Sequence, residues 1–76
     1  MITLDDLIST ADSCLHELPD GAQKDNALYC VREAAHCYEQ GDGACAQYWA
    51  LRSLKHSIGI LHPTYRAYLQ ELPLSA

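Results

Sequence analysis

Apolar residues recur at helical spacing over residues 3–18, which predicts the first helix of the chain. Its apolar stripe consists of Leu4, Leu7, Ile8, Ala11, Leu15 and Leu18. Thr3 stands at the N-cap position, and acidic residues follow in the first turn, where they favour the positive end of the helix dipole. The sequence Pro19-Asp20-Gly21 predicts a turn after this helix.

Two further apolar stripes predict a helical hairpin in the middle of the chain. The second helix is predicted over residues 22–40 and the third over residues 43–61, with Asp42 as N-cap of the third. The glycines at 41 and 43 end the second helix. Because the turn between the second and third helices is this short, the two helices are predicted to be antiparallel neighbours. The predicted core stripe of the third helix is Tyr48, Leu51, Leu54, Ile58 and Leu61.

The C-terminal part of the chain predicts a short fourth helix over residues 64–72. Pro63 separates it from the third helix, because the residue before a proline avoids helical geometry. Residues 73–76 are expected to be a tail. No segment alternates with period two, so the sequence predicts one all-α domain over residues 1–76, a small three-helix bundle with a short fourth helix. Since so short a chain gains from doubling its core, we expect a homodimer.

The charge is unevenly distributed. The net charge is −5, and all of it comes from residues 1–25, which carry six carboxylates against one lysine. Direct nucleic-acid binding needs a basic face, so this balance argues against it. No stretch reaches the roughly 18–20 apolar residues of a membrane span, and the first residues lack the pattern of a secretory signal. We therefore expect a cytoplasmic protein that does not enter membranes.

The solvent face of the first helix carries an acidic patch, defined here as Asp5, Asp12 and Glu17. Such a patch aids solubility and also steers association with a protein partner that has a basic surface. An alternative interpretation is a nucleic-acid mimic, such as a phage-encoded inhibitor, that occupies a surface where nucleic acid normally binds.

Two rows of residues on the second and third helices have the order aromatic, arginine, histidine at positions i, i+3 and i+7. They supply the predicted partner-binding residues, which are Tyr29, Arg32, Trp49, Arg52 and His56. Tyrosine, tryptophan and arginine are the residue types enriched at binding hot spots. The alternative is that Trp49 packs in the core, because a central helix needs two apolar faces.

Cysteines and histidines offer a second kind of site. Cys37 and Cys45 are eight residues apart across the predicted turn, where they could meet, with His36 nearby. Zinc sites usually contain a closely spaced ligand pair, which is missing here, and reduced thiols are expected in the cytosol. We therefore interpret these cysteines as buried thiols and expect no cofactor, with a metal- or thiol-based sensor as the alternative.

No group of residues in the sequence meets the requirements of catalysis. A nucleophile needs a base within hydrogen-bond reach and a third group that orients the base, and no phosphate-binding glycine motif is present. The sequence thus predicts a small, acidic, non-enzymatic interaction module that acts as an adaptor or inhibitor.

Overall fold

The computed structural model describes residues 2–75 and contains four α-helices and no β-strand within that range. The helices are α1 (Leu4–His16), α2 (Ala22–Glu39), α3 (Gly43–Ile58) and α4 (Pro63–Gln70). The all-α prediction is therefore confirmed. The helices α2 and α3 share the most extensive contact, α1 packs against both of them, and α4 packs against α3.

The predicted N-caps of α1 and α3 are confirmed. The Asp6 amide donates to the Thr3 hydroxyl over 3.1 Å, and the Thr3 amide donates back to the Asp6 carboxylate over 3.2 Å, which forms a capping box. In α3 the Cys45 amide donates to the Asp42 carboxylate over 3.1 Å. These bonds satisfy amides that have no partner inside the helix.

Glycine conformations set where the hairpin helices end. Gly41 has a φ of 81°, the left-handed conformation expected just after a helix. Gly59 has a φ of 85° and ends α3 at Ile58, so the predicted continuation to residue 61 is wrong. Leu61 consequently lies outside the helix, with 80% of its surface exposed, and does not belong to the core stripe.

The buried face of α3 differs from the predicted stripe. Tyr48 is 54% exposed, and the fully buried residues of α3 are instead Ala46, Ala50, Ser53 and Leu54. Small side chains allow α2 and α3 to approach closely, and Ala27 and Ala34 of α2 are fully buried as well. The buried Ser53 hydroxyl is satisfied, because it donates to the Ala27 carbonyl over 2.8 Å.

The C-terminal segment is held against the body of the protein. The Leu4 amide, at the start of α1, donates to the Ser75 carbonyl, and Thr3 and Ser75 form an isolated β-bridge. The Leu74 amide donates to the Gln47 side chain of α3 over 2.9 Å. Residues 74 and 75 of the predicted tail are therefore attached to the helices, because the Leu4 amide at the start of α1 and the Gln47 side chain provide partners. Ala76 lies outside the described residues.

Tyr68 fastens α4 to α1 within the same chain. Its side chain is 8% exposed, and its hydroxyl lies 2.9 Å from the Thr10 hydroxyl and donates to the Asp6 carbonyl over 3.3 Å. Because this buried tyrosine has two hydrogen-bond partners for its hydroxyl, it stabilises the docking of α4 on α1.

Replacement of Tyr68 by phenylalanine removes these hydrogen bonds but keeps the ring. We expect the free energy of unfolding to fall by about 1 kcal/mol, because Thr10 loses its side-chain partner. Urea denaturation followed by circular dichroism measures the change. Tyr65→Phe is the control, since no hydrogen bond of the Tyr65 hydroxyl occurs within residues 2–75. Equal losses for the two variants would contradict the role given to the Tyr68 hydroxyl.

Candidate interaction surface

Three aromatic side chains from α2 and α3 lie in one cluster. The Trp49 ring contacts Tyr29 at 5.8 Å between centroids and Tyr48 at 5.3 Å, and both pairs are edge-to-face with interplanar angles of 84° and 79°. Edge-to-face contacts are the geometry that aromatic quadrupoles favour. Both tyrosines are exposed, Tyr29 at 58%, whereas Trp49 is half-buried.

Arg52 completes this cluster on the solvent side. Its guanidinium lies 5.7 Å from the Trp49 ring centroid and 6.0 Å from that of Tyr48, within cation–π range. It also donates to the Tyr48 hydroxyl over 2.7 Å, and this bond raises the pKa of Arg52 above its ordinary value. No carboxylate forms an ion pair with Arg52 within residues 2–75. The guanidinium thus remains charged and retains donors for a ligand.

Two open depressions flank Arg52. One of about 300 Å³ lies between α2 and α3 and is lined by Asn26, Tyr29, Cys30, Trp49, Arg52 and His56. The other, of about 350 Å³, lies between α3 and α4 and is lined by Tyr48, Leu51, Arg52, Lys55, His56 and Tyr65. Of the residues that the structure describes, no acidic one lines either depression, and Arg52 and His56 belong to both. Five residues lie around Arg52 and between or beside the two depressions, and they are called the aromatic–cation surface here: Tyr29, Tyr48, Trp49, Arg52 and His56.

The structure brings together four of the five predicted partner-binding residues and adds one that the sequence analysis missed. The apolar pattern places Tyr48 in the core stripe, although its position four residues before Arg52 puts the two side chains on the same helix face. That spacing was the available signal. The half-buried Trp49 packs against the edge of the core and also borders the depression between α2 and α3.

Arg32 lies apart from the aromatic–cation surface. It borders a third depression of about 340 Å³ between α1 and α2, which is lined by Ile8, Ser9, Asp12, Leu28, Val31, Arg32 and Ala35. Ala35, which lines this depression, is exposed, whereas the neighbouring Ala34 is buried in the core. The row on the second helix therefore does not act as one surface, because Tyr29 is turned toward α3 and Arg32 toward α1.

The acidic patch lies on α1 and at its C-cap, and all three of its carboxylates are exposed. Asp5 and Asp12 are two turns apart and share a helix face. Asp12 lies 3.4 Å from the His16 ring. Because α1 contributes no residue to the two depressions beside Arg52, the acidic patch and the aromatic–cation surface are separate regions of opposite charge.

The two hairpin cysteines are in direct contact. The Cys37 thiol donates to the Cys45 sulfur over 2.9 Å. This hydrogen bond is the main cause, and burial the second cause, that raises the pKa of Cys37 to about 11. Both are free thiols. Within residues 2–75 no three side chains among His, Cys, Asp and Glu are grouped so that they could hold a metal ion, so His36 does not join the two cysteines as a third ligand.

The chain matches no protein-family model, no curated protein and no solved structure. Over the part of the chain that the structure describes, no helix combines the length and apolar character needed to cross a bilayer. The aromatic–cation surface thus combines two exposed tyrosine rings, a guanidinium with no carboxylate partner among residues 2–75, and two flanking depressions.

Proposed function

We propose that this protein is a small non-enzymatic interaction module that binds another protein through the aromatic–cation surface. It would act as an adaptor or inhibitor by occupying the surface of its partner. The observation that supports this proposal is Arg52, which lies against Trp49 and Tyr48, has no ion-pair partner among residues 2–75, and separates two depressions.

The arrangement limits the cost of binding. The rings of Tyr29 and Tyr48 are already held against Trp49, so little side-chain freedom is lost when a partner covers them. Each depression has room for a side chain of the partner, and Arg52 can donate to a carboxylate or carbonyl at the rim. A partner segment with an apolar anchor beside a hydrogen-bond acceptor fits this chemistry.

The acidic patch supplies a second element of recognition. Its exposed carboxylates attract a partner with a basic surface and raise the rate of encounter at low ionic strength. Each copy of this chain has both an acidic patch and the basic side chains Arg52 and Lys55. The acidic patch of one copy can therefore complement Arg52 and Lys55 of another. We therefore propose a homodimer as the self-associated form.

Trp49 provides a site-specific probe of self-association, because it is the only tryptophan in the chain. If copies associate through this surface, Trp49 emission should shift to shorter wavelength and become less accessible to acrylamide as protein concentration rises. Sedimentation velocity over the same range should show a parallel increase in mass. A monomer at all concentrations with constant Trp49 emission would reject the homodimer but would leave binding of a different partner open.

Reversal of the Arg52 charge tests the proposed binding surface. The partner is recovered from cells that produce this protein, purified and titrated against the wild type, while Trp49 emission is followed. Arg52→Glu should weaken binding roughly 10-fold or more, because the cation at the centre of the surface becomes an anion.

Arg66→Glu is the matched control, since Arg66 is exposed on α4 and lines neither depression. It makes the same change in net charge and should alter affinity less than about 2-fold, as expected of a charge outside the contact. Equal effects of the two substitutions would show that only overall charge matters and would contradict the proposed surface.

A further inference from the structure

The geometry of the α2–α3 hairpin points to a redox function that is independent of the interaction surface. We propose that Cys37 and Cys45 form a reversible oxidation site, in which a peroxide converts the two thiols into an intramolecular disulfide that ties the end of α2 to the start of α3. The two sulfur atoms are 2.9 Å apart. A disulfide bond is about 2.05 Å long, so the sulfurs need to approach by only about 0.9 Å.

The position of the pair in the fold keeps it aligned. Cys37 lies in the last turn of α2 and Cys45 in the first turn of α3, and the Cys45 amide is held by the Asp42 side chain. The Asp42 amide donates to the Cys37 carbonyl over 2.9 Å, which fixes the other end of the connection. Both thiols are half-buried rather than sealed, so a small oxidant can reach them.

The hydrogen bond between the thiols assigns their roles in the reaction. Cys37 donates its proton to the Cys45 sulfur in this hydrogen bond, so we assign Cys45 as the attacking sulfur and Cys37 as the thiol that resolves the intermediate. The Cys45 thiolate, whose proton has gone to solvent, attacks one peroxide oxygen. The O–O bond breaks, a sulfenic acid forms, and the released hydroxide takes up a proton to become water.

Cys37 then resolves the sulfenic acid. Its sulfur attacks the Cys45 sulfur, the S–S bond forms, the S–O bond breaks, and the departing hydroxide leaves as water with the Cys37 proton. Overall the two thiols give up two electrons and two protons, and one hydrogen peroxide becomes two waters. A dithiol reductant reverses the change by thiol–disulfide exchange.

The tryptic map of the chain separates this site from the other cysteines. Cleavage after Arg32 and Arg52 places Cys37 and Cys45 together on the peptide 33–52, whereas Cys14 and Cys30 fall on two other peptides. After treatment of the folded protein with equimolar hydrogen peroxide, peptide 33–52 should be about 2 Da lighter, the loss of two hydrogens. Titratable thiols should fall from four to two and return with dithiothreitol.

Single substitutions provide the controls. Cys37→Ser and Cys45→Ser should each abolish the 2 Da loss, whereas Cys14→Ser should leave it unchanged. Closing this short loop should also raise the melting temperature of the oxidised wild type by roughly 10 °C.

Three outcomes would overturn the proposal: peptide 33–52 keeps its dithiol mass, gains oxygen instead of losing hydrogen, or becomes linked to a different peptide or to a second chain. The reaction needs no protein partner. Its failure is therefore distinguishable from a failure of the interaction surface.

Discussion

Leu54→Ala should lower the free energy of unfolding by about 3 kcal/mol or more. Leu54 is fully buried on α3, where it packs in the core shared with α1 and α2. Removing a buried leucine side chain costs its transfer free energy and leaves a cavity, which together amount to roughly 2–5 kcal/mol. A chain of this length is expected to have a total stability of roughly 4–11 kcal/mol, so the substitution removes a large part of it.

Urea denaturation followed by helical circular dichroism measures this loss. Leu61→Ala is the matched control, because it makes the same chemical change at a residue that is 80% exposed and should shift stability by less than about 0.5 kcal/mol. If Leu61→Ala is as damaging as Leu54→Ala, the core does not lie where the structure places it, or a second copy covers Leu61. Sedimentation of the two variants separates these two explanations.

Trp49→Ala should weaken binding to the protein partner by roughly 30-fold or more. The indole borders one depression, supports the rings of Tyr29 and Tyr48, and lies beneath the Arg52 guanidinium. Its removal therefore disturbs the whole aromatic–cation surface. Losses of this size, about 2 kcal/mol, are typical of tryptophans at hot spots. Isothermal titration calorimetry with the purified partner measures the change, since this variant has no tryptophan emission.

Two controls separate a binding role of Trp49 from a structural role. Trp49→Ala should remain folded and lose less stability than Leu54→Ala, because Trp49 is only half-buried. Tyr38→Ala removes an aromatic ring of α2 that is also exposed but belongs to neither depression, and it should leave affinity unchanged. Unfolding of the Trp49 variant would assign the indole to the core, and an unchanged affinity would reject the proposed hot spot.

The positions of the four helices follow from local chemistry that is visible in the sequence. Thr3 and Asp42 are side-chain caps, Gly41 takes a left-handed turn, and Pro63 begins the last helix. These effects involve residues close together along the chain, so they can be recognised without knowledge of the fold. The same applies to the shared helix face of Trp49, Arg52 and His56.

Contacts between distant parts of the chain were decided only by the tertiary structure. Alanines and Ser53 form the tight contact between α2 and α3. With these small residues on its buried face, α3 is oriented so that Tyr48 faces solvent. A hydrophobicity pattern gives such small residues little weight, so it does not predict this orientation. Arg32 is directed toward α1, and Ser75 pairs with the start of that helix.

The sequence by itself determined an all-α chain with an acidic N-terminal third and an aromatic–arginine row on α3. The tertiary structure decided which helix face is buried and which side chains from different helices meet, including the 2.9 Å contact between Cys37 and Cys45. The physical reason is that helix formation depends mainly on neighbours within about four residues, whereas packing depends on the shape of whole faces brought together from distant parts of the chain.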